Sequence, residues 1–149
     1  MSILILDDRA DTLRHIEATF KRERLQHKTC SNIYKARTEW GTKNYNSIVT
    51  DLNMNPQGLE KRDIPLTAGA LLTGWIWLIK YVFDDETSPI IGRTVIFSQY
   101  ILDAEKIIFN EDNKDIYKPE IFHKVKCVPK ARSADIGGLS GLVDVLKKK

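Results

Sequence analysis

The stretch SIVTDLNM, residues 47–54, carries three strand-forming residues, Ile48, Val49 and Thr50, straight into an acid, Asp51. An unbroken run of this kind suits a strand covered on both faces. A carboxylate at the end of such a strand is costly to bury alone. Asp51 therefore implies a polar site shared with other parts of the chain. A single acid at a strand end is also an ordinary turn residue, so its meaning depends on what the other strands bring beside it.

Upstream, SILIL (2–6) is a second continuous apolar run, and it ends on Asp7 and Asp8. Leu13, Ile16, Phe20 and Leu25 recur at helical spacing and predict a helix over 11–24 with one buried face. HKTCS (27–31) reads as a short strand. Residues 33–40 read as a helix, with Ser31 or Asn32 as cap and Gly41 just past the end. Downstream of Asp51 lies a polar stretch, 52–66, with Pro56, Gly58 and Pro65, followed by an apolar helix over 67–83. DDETSP (84–89) is a turn cluster, RTVIFS (93–98) a strand, 101–109 a helix and NEDNKDIYKPE (110–120) a polar loop. HKVKCV (123–128) is the last strand. Leu139, Leu142, Val143 and Leu146 share one face of a closing helix.

Strand and helix alternate five times. The pattern predicts an α/β fold, with a parallel sheet between two helical layers and right-handed crossovers. Ligands of such sheets bind beyond the carboxyl ends of the strands, where the strand order reverses. The residues there are Asp7 and Asp8, Asp51, Ser98 and Lys130. Three neighbouring carboxylates repel one another, and relief comes from a proton or a cation. Hard oxygen donors in an open, hydrated geometry suit Mg²⁺. With Lys130 and Ser98 as added positive and hydrogen-bonding groups, Asp51 is placed to attack a phosphoryl group in line and form an aspartyl phosphate.

These pieces together resemble the receiver domain of two-component response regulators of the chemotaxis type. ILILDD (3–8) matches the acidic pair and SIVTDLNM the phosphoacceptor strand. VIFSQY (95–100) matches the Ser/Thr strand and KCVPKA (126–131) the lysine strand. The resemblance spans nearly the whole chain. It implies the flavodoxin-like (βα)5 fold with strand order 2-1-3-4-5. It also implies phosphorylation of Asp51 by a histidine kinase or phosphotransfer protein. Asp8, Asp51 and the backbone carbonyl of Asn53 would hold Mg²⁺, with Asp7 acting through water. Ser98 and Lys130 would contact the phosphoryl oxygens, and Asn53 would lie near the path of the hydrolytic water. The expected protein is one receiver domain over 1–149 without an output domain, signalling by contact with an unknown target protein.

Four features depart from that pattern. Gly74, which matches the glycine opening the third helix, stands 23 positions after Asp51, so an insertion of about fifteen residues, 57–70, sits beside the site. Such an insertion is expected to cover Asp51 in part. Pro129 precedes Lys130 and Ala131 follows it, the reverse of the usual order. Cys127 stands at the usual switch aromatic, and Gln99 follows Ser98 where a small residue is common. The connection over 110–122 is also longer than usual.

The bulk properties set limits. With 42% hydrophobic and 29% charged residues and a net charge of +3, the 149 residues suit an ordinary globular domain and argue against a nucleic-acid interface. The most apolar stretch, 68–83, contains Lys80 and falls short of the roughly 20 residues of a membrane span. MSILILDD is too short for a secretory signal. Cys30 and Cys127 form no C-x-x-C pair, and a reducing, cytoplasmic setting is expected. His15, His27 and His123 lack ligand spacing. The run around Trp75 and Trp77 reads as core; exposed, it would serve a partner or a homodimer. Two other functions stay open: a receiver-like adaptor working without phosphate, and a Mg²⁺-dependent phosphatase. Against the latter, Asn53 stands where a second acid would be needed.

Overall fold

The computed structural model describes residues 2–130 and 136–148, the side chains of 136–138 excepted. Five strands form one all-parallel sheet: β1 (Ser2–Leu6), β2 (Gln26–Cys30), β3 (Ser47–Thr50), β4 (Thr94–Ser98) and β5 (Lys126–Pro129). Their order is β2-β1-β3-β4-β5, the flavodoxin-like topology. Leu6 pairs with Thr50 and Thr50 with Ile96, so β1 and β3 end level while β4 runs two residues further, to Ser98.

The alternation of side chains along β1 builds the layers. Ile3 and Ile5 point to one face, where Ile16 and Phe20 of α1 (Ala10–Arg22) meet Leu142, Val143 and Leu146 of the C-terminal helix (Ile136–Lys147). Leu4 and Leu6 point to the other face, which receives α2 (Ile33–Gly41), α3 (Thr73–Trp77) and α4 (Ile101–Ile108) through Ile33, Ala36, Trp75, Ile76, Ala104 and Ile108. Asn32 caps α2 by accepting the Lys35 amide at 2.9 Å.

The chain departs from the sequence reading mainly in its two long connections. The apolar run 67–83 is not one helix. A 3₁₀ turn over Ile64–Thr67 is followed by Ala68, Gly69 and Ala70, all with positive φ, then by the single turn of α3 and a π-helical turn over Leu78–Val82. Apolar content alone does not reveal these breaks, because each is imposed by what the segment packs against. Residues 110–120 are not a plain loop: a 3₁₀ turn over Glu111–Asn113 leads into α5 (Lys114–Tyr117) and α6 (Pro119–Phe122), with Lys118 left-handed between them and Pro119 starting the next turn. Strand β5 begins at Lys126 rather than His123 and runs into Pro129, which a sheet edge tolerates. The last helix begins three residues before Leu139.

Trp75 and Trp77 are fully buried, so they belong to the core and offer no face for a partner or a second copy. The Trp77 indole N–H has no hydrogen-bond partner among the described residues. No helix there is long and apolar enough to cross a membrane.

Candidate functional site

Strand order reverses between β1 and β3, and there the carboxyl ends of the sheet open into a cleft of about 250 Å³. Asp8, Arg9, Asp51, Asn53, Ala70 and Lys130 contribute to its walls. The parallel register carries Asp7 and Asp51 to the same level: the Asp51 amide donates to the Leu6 carbonyl at 3.0 Å, and the Asp7 amide to the Cys30 carbonyl at 3.1 Å. From the far edge, the Lys130 amide donates to the Ser98 carbonyl at 2.9 Å, which turns its side chain inward across β4.

Lys130 Nζ lies 2.7 Å from Asp7 Oδ2 and 2.8 Å from Asp51 Oδ2. All three side chains are largely out of water. Burial, and then the Asp51 charge, push the Asp7 carboxyl above its ordinary range despite the lysine. Burial pulls the Lys130 ammonium down, but the two carboxylates outweigh it and hold the group above its ordinary value. The other Asp51 oxygen accepts the Leu52 amide at 2.7 Å, which fixes the carboxylate plane and leaves Oδ2 facing the lysine.

Asp8 is exposed, and its Oδ2 accepts the Asn55 amide at 3.2 Å. Ser98 reaches the end of β4, but its hydroxyl is fully buried and accepts the Tyr100 amide at 3.0 Å. Asp7, Asp51 and Lys130 are thus joined directly. Asp8 and Asn53 flank the cleft, and Ser98 lies beneath its rim. Sequence reasoning did not single out Arg9, Asn55, Ala70 and Tyr100, which also line the cleft; lying just after strand ends or inside the insertion was the only signal they gave.

The donors facing the cleft are oxygens, the Asp8 and Asp51 carboxylates with Asn53 alongside. This chemistry fits Mg²⁺, which keeps several waters and takes one or two carboxylates. No three acid, His or Cys side chains among the described residues are grouped to hold a metal by themselves. Lys130 binds Asp7 and Asp51 alike; of the three acids, Asp8 and Asp51 line the cleft, and those are the carboxylates that would hold such an ion.

The insertion is an ordered wall. Arg37 of α2 donates to the Gly58 carbonyl at 2.8 Å, and its guanidinium carbon lies 4.6 Å from the Tyr81 ring centre. The Tyr81 hydroxyl donates to the buried Asp63 carboxylate at 2.6 Å and accepts the Glu60 amide at 2.8 Å. Ala70 stands at the cleft end of this wall. The peptide between Lys130 and Ala131 lies outside the described residues; every described peptide bond is trans. Compared with known proteins, the chain matches no protein-family model and no curated protein sequence.

Proposed function

We propose that the chain is a phosphoacceptor receiver domain. It would take a phosphoryl group onto Asp51 from a histidine kinase or phosphotransfer protein and signal through protein contacts. The observation that carries this reading is the Lys130 ammonium, shared between Asp7 and Asp51 beside an open oxygen-lined cleft at the strand-order reversal. Asp51 Oδ2 attacks phosphorus, the O–P bond forms, and the P–N bond to the donor histidine breaks with its electron pair going to the imidazole. Lys130 then exchanges its bond to Oδ2 for one to a phosphoryl oxygen, and the Leu52 amide keeps the carboxylate oriented for in-line attack. A bound Mg²⁺ on Asp8, Asp51 and the Asn53 carbonyl would supply countercharge for the phosphoryl oxygens.

The test is incubation with Mg²⁺ and acetyl phosphate or beryllofluoride, followed by intact mass and Trp fluorescence. An adduct that forms in the natural chain and is absent in Asp51→Asn supports the reading; no adduct in the natural chain removes it. A receiver-like adaptor that works without phosphate is the second reading. In its favour, Lys130 bridges both buried acids directly. Fast turnover of phosphate esters would point instead to a phosphatase.

A further inference from the structure

The cleft is tied to a distant connection by hydrogen bonds and the short backbone stretches between them. Asp8 accepts the Asn55 amide. The neighbouring Met54 amide donates to the Ala70 carbonyl at 3.3 Å, and Thr73 Oγ1 sits within 2.7 Å of the Met54 carbonyl and 2.9 Å of the Ala70 carbonyl. Ala70 ends the left-handed run Ala68, Gly69 and Ala70, with φ of 53°, 67° and 80°. Two of these three residues carry a Cβ that disfavours the conformation. On the other side of the run, the Leu66 carbonyl accepts the Tyr117 hydroxyl at 2.8 Å, and the Tyr117 carbonyl accepts the Trp75 indole N–H at 2.8 Å. Tyr117 is buried at the end of α5, one residue from half-exposed Ile116.

We propose that Tyr117 is a positioning residue through which occupancy of the cleft reaches the 110–122 connection. This rests on the phosphoacceptor reading. Ligands shift an equilibrium only through contacts that differ between two states. Here the differing contact is the backbone over 53–55. Asn53 would offer its carbonyl to a cation held by Asp8 and Asp51, and the next two residues are bonded to Ala70 and Asp8, so a shift there would bear on the Met54–Ala70 bond. The left-handed run beyond it is costly to hold. Leu66, two residues before the run, moves with it, and Tyr117 follows Leu66.

The experiment uses the full chain with Mg²⁺ and beryllofluoride. The adduct is followed by ¹⁹F NMR and amide exchange by mass spectrometry. In the natural chain, exchange should change several-fold in both 54–72 and 110–122 once the adduct forms. Tyr117→Phe should keep the adduct and the 54–72 response and lose the 110–122 response. Ala68→Gly, which relieves the left-handed run outside the cleft walls, should keep the adduct and at least halve the 110–122 response. An adduct with a silent 110–122 segment, or a full response in either variant, overturns the coupling and leaves the phosphoacceptor reading standing. No adduct in the natural chain overturns both.

Discussion

A Cβ placed on Gly74 would fall 1.8 Å from the Asp51 carbonyl oxygen and 2.9 Å from the carbonyl carbon. The first turn of α3 is pressed against the end of β3, with the Gly74 amide donating to the Leu52 carbonyl at 2.9 Å. Backbone cannot yield as a side-chain tip can. Gly74→Ala is therefore expected to cost about 3 kcal/mol, the upper end of overpacking penalties, and to displace the Asp51 carboxylate. Urea denaturation measures the first effect and beryllofluoride binding the second. A loss below about 1 kcal/mol would show that the strand end is softer than this contact implies.

Neutralising Asp7 is expected to stabilise the fold while weakening the site. Its carboxyl is held above the ordinary range, so the folded state disfavours its charge. That contribution to stability is fully present below the ordinary carboxylate value and is lost as pH rises through the raised folded value. Asp7→Asn should be more stable than the natural chain at pH 7, with the gap closing in acid, and should bind beryllofluoride more weakly. Thermal unfolding at pH 7 and pH 4 decides the matter: a variant less stable at pH 7 would mean that the Lys130 bond outweighs burial and the Asp51 repulsion.

Tyr81→Phe should loosen the insertion selectively. Asp63, 3% exposed, would lose its short hydroxyl bond, and the Glu60 amide would lose its acceptor. Leaving such groups unmatched costs about 1–3 kcal/mol. The expected signature is faster proteolytic cleavage and amide exchange within 57–66, with the exchange of β1 and β3 little changed. Uniform acceleration across the sheet would show that the insertion belongs to the global fold rather than to a local unit.

Much of the architecture was legible because buried parallel strands announce themselves. SILIL, SIVT and TVIFS are short, apolar and β-branched; the first two lead into acids at the cleft end of the sheet, and the third ends on buried Ser98. The joining of Asp7, Asp51 and Lys130 followed from placing strand ends side by side. Ser98 was placed by the same logic, but which way its hydroxyl turns depends on the Tyr100 amide, and that is a rotamer choice rather than a pattern. The connections resisted reading for a different reason. One-turn helices such as α5 and α6 are too short to show a period. The breaks at 68–70 are held by Tyr117, Thr73 and Met54, partners distant in sequence or on the other side of the break. Arg37, Asp63 and Tyr81 lie far apart in sequence, and only the fold brings them together.

The two cysteines provide a test of strand order that is independent of the chemistry at Asp51. Cys30 ends β2 and Cys127 lies in β5, the opposite edges of the five-stranded sheet. Four inter-strand spacings separate them, about 19 Å, whereas a disulfide needs Cα atoms within about 7 Å. Burial pushes both thiols up to about 11, with Glu105 adding to the effect at Cys127 and Glu39 at Cys30. At pH 8 the thiolate fraction is then on the order of one in a thousand, so attack on a disulfide reagent is slow. Both residues should react with 5,5′-dithiobis(2-nitrobenzoate) far more slowly in the native protein than in urea, with Cys127, the less buried, reacting first. Mild oxidation should leave the intact mass free of an internal bridge. Fast native labelling of Cys30 would mean that the β2 edge opens readily, and a Cys30–Cys127 bridge cannot form without bringing opposite edges of the sheet together.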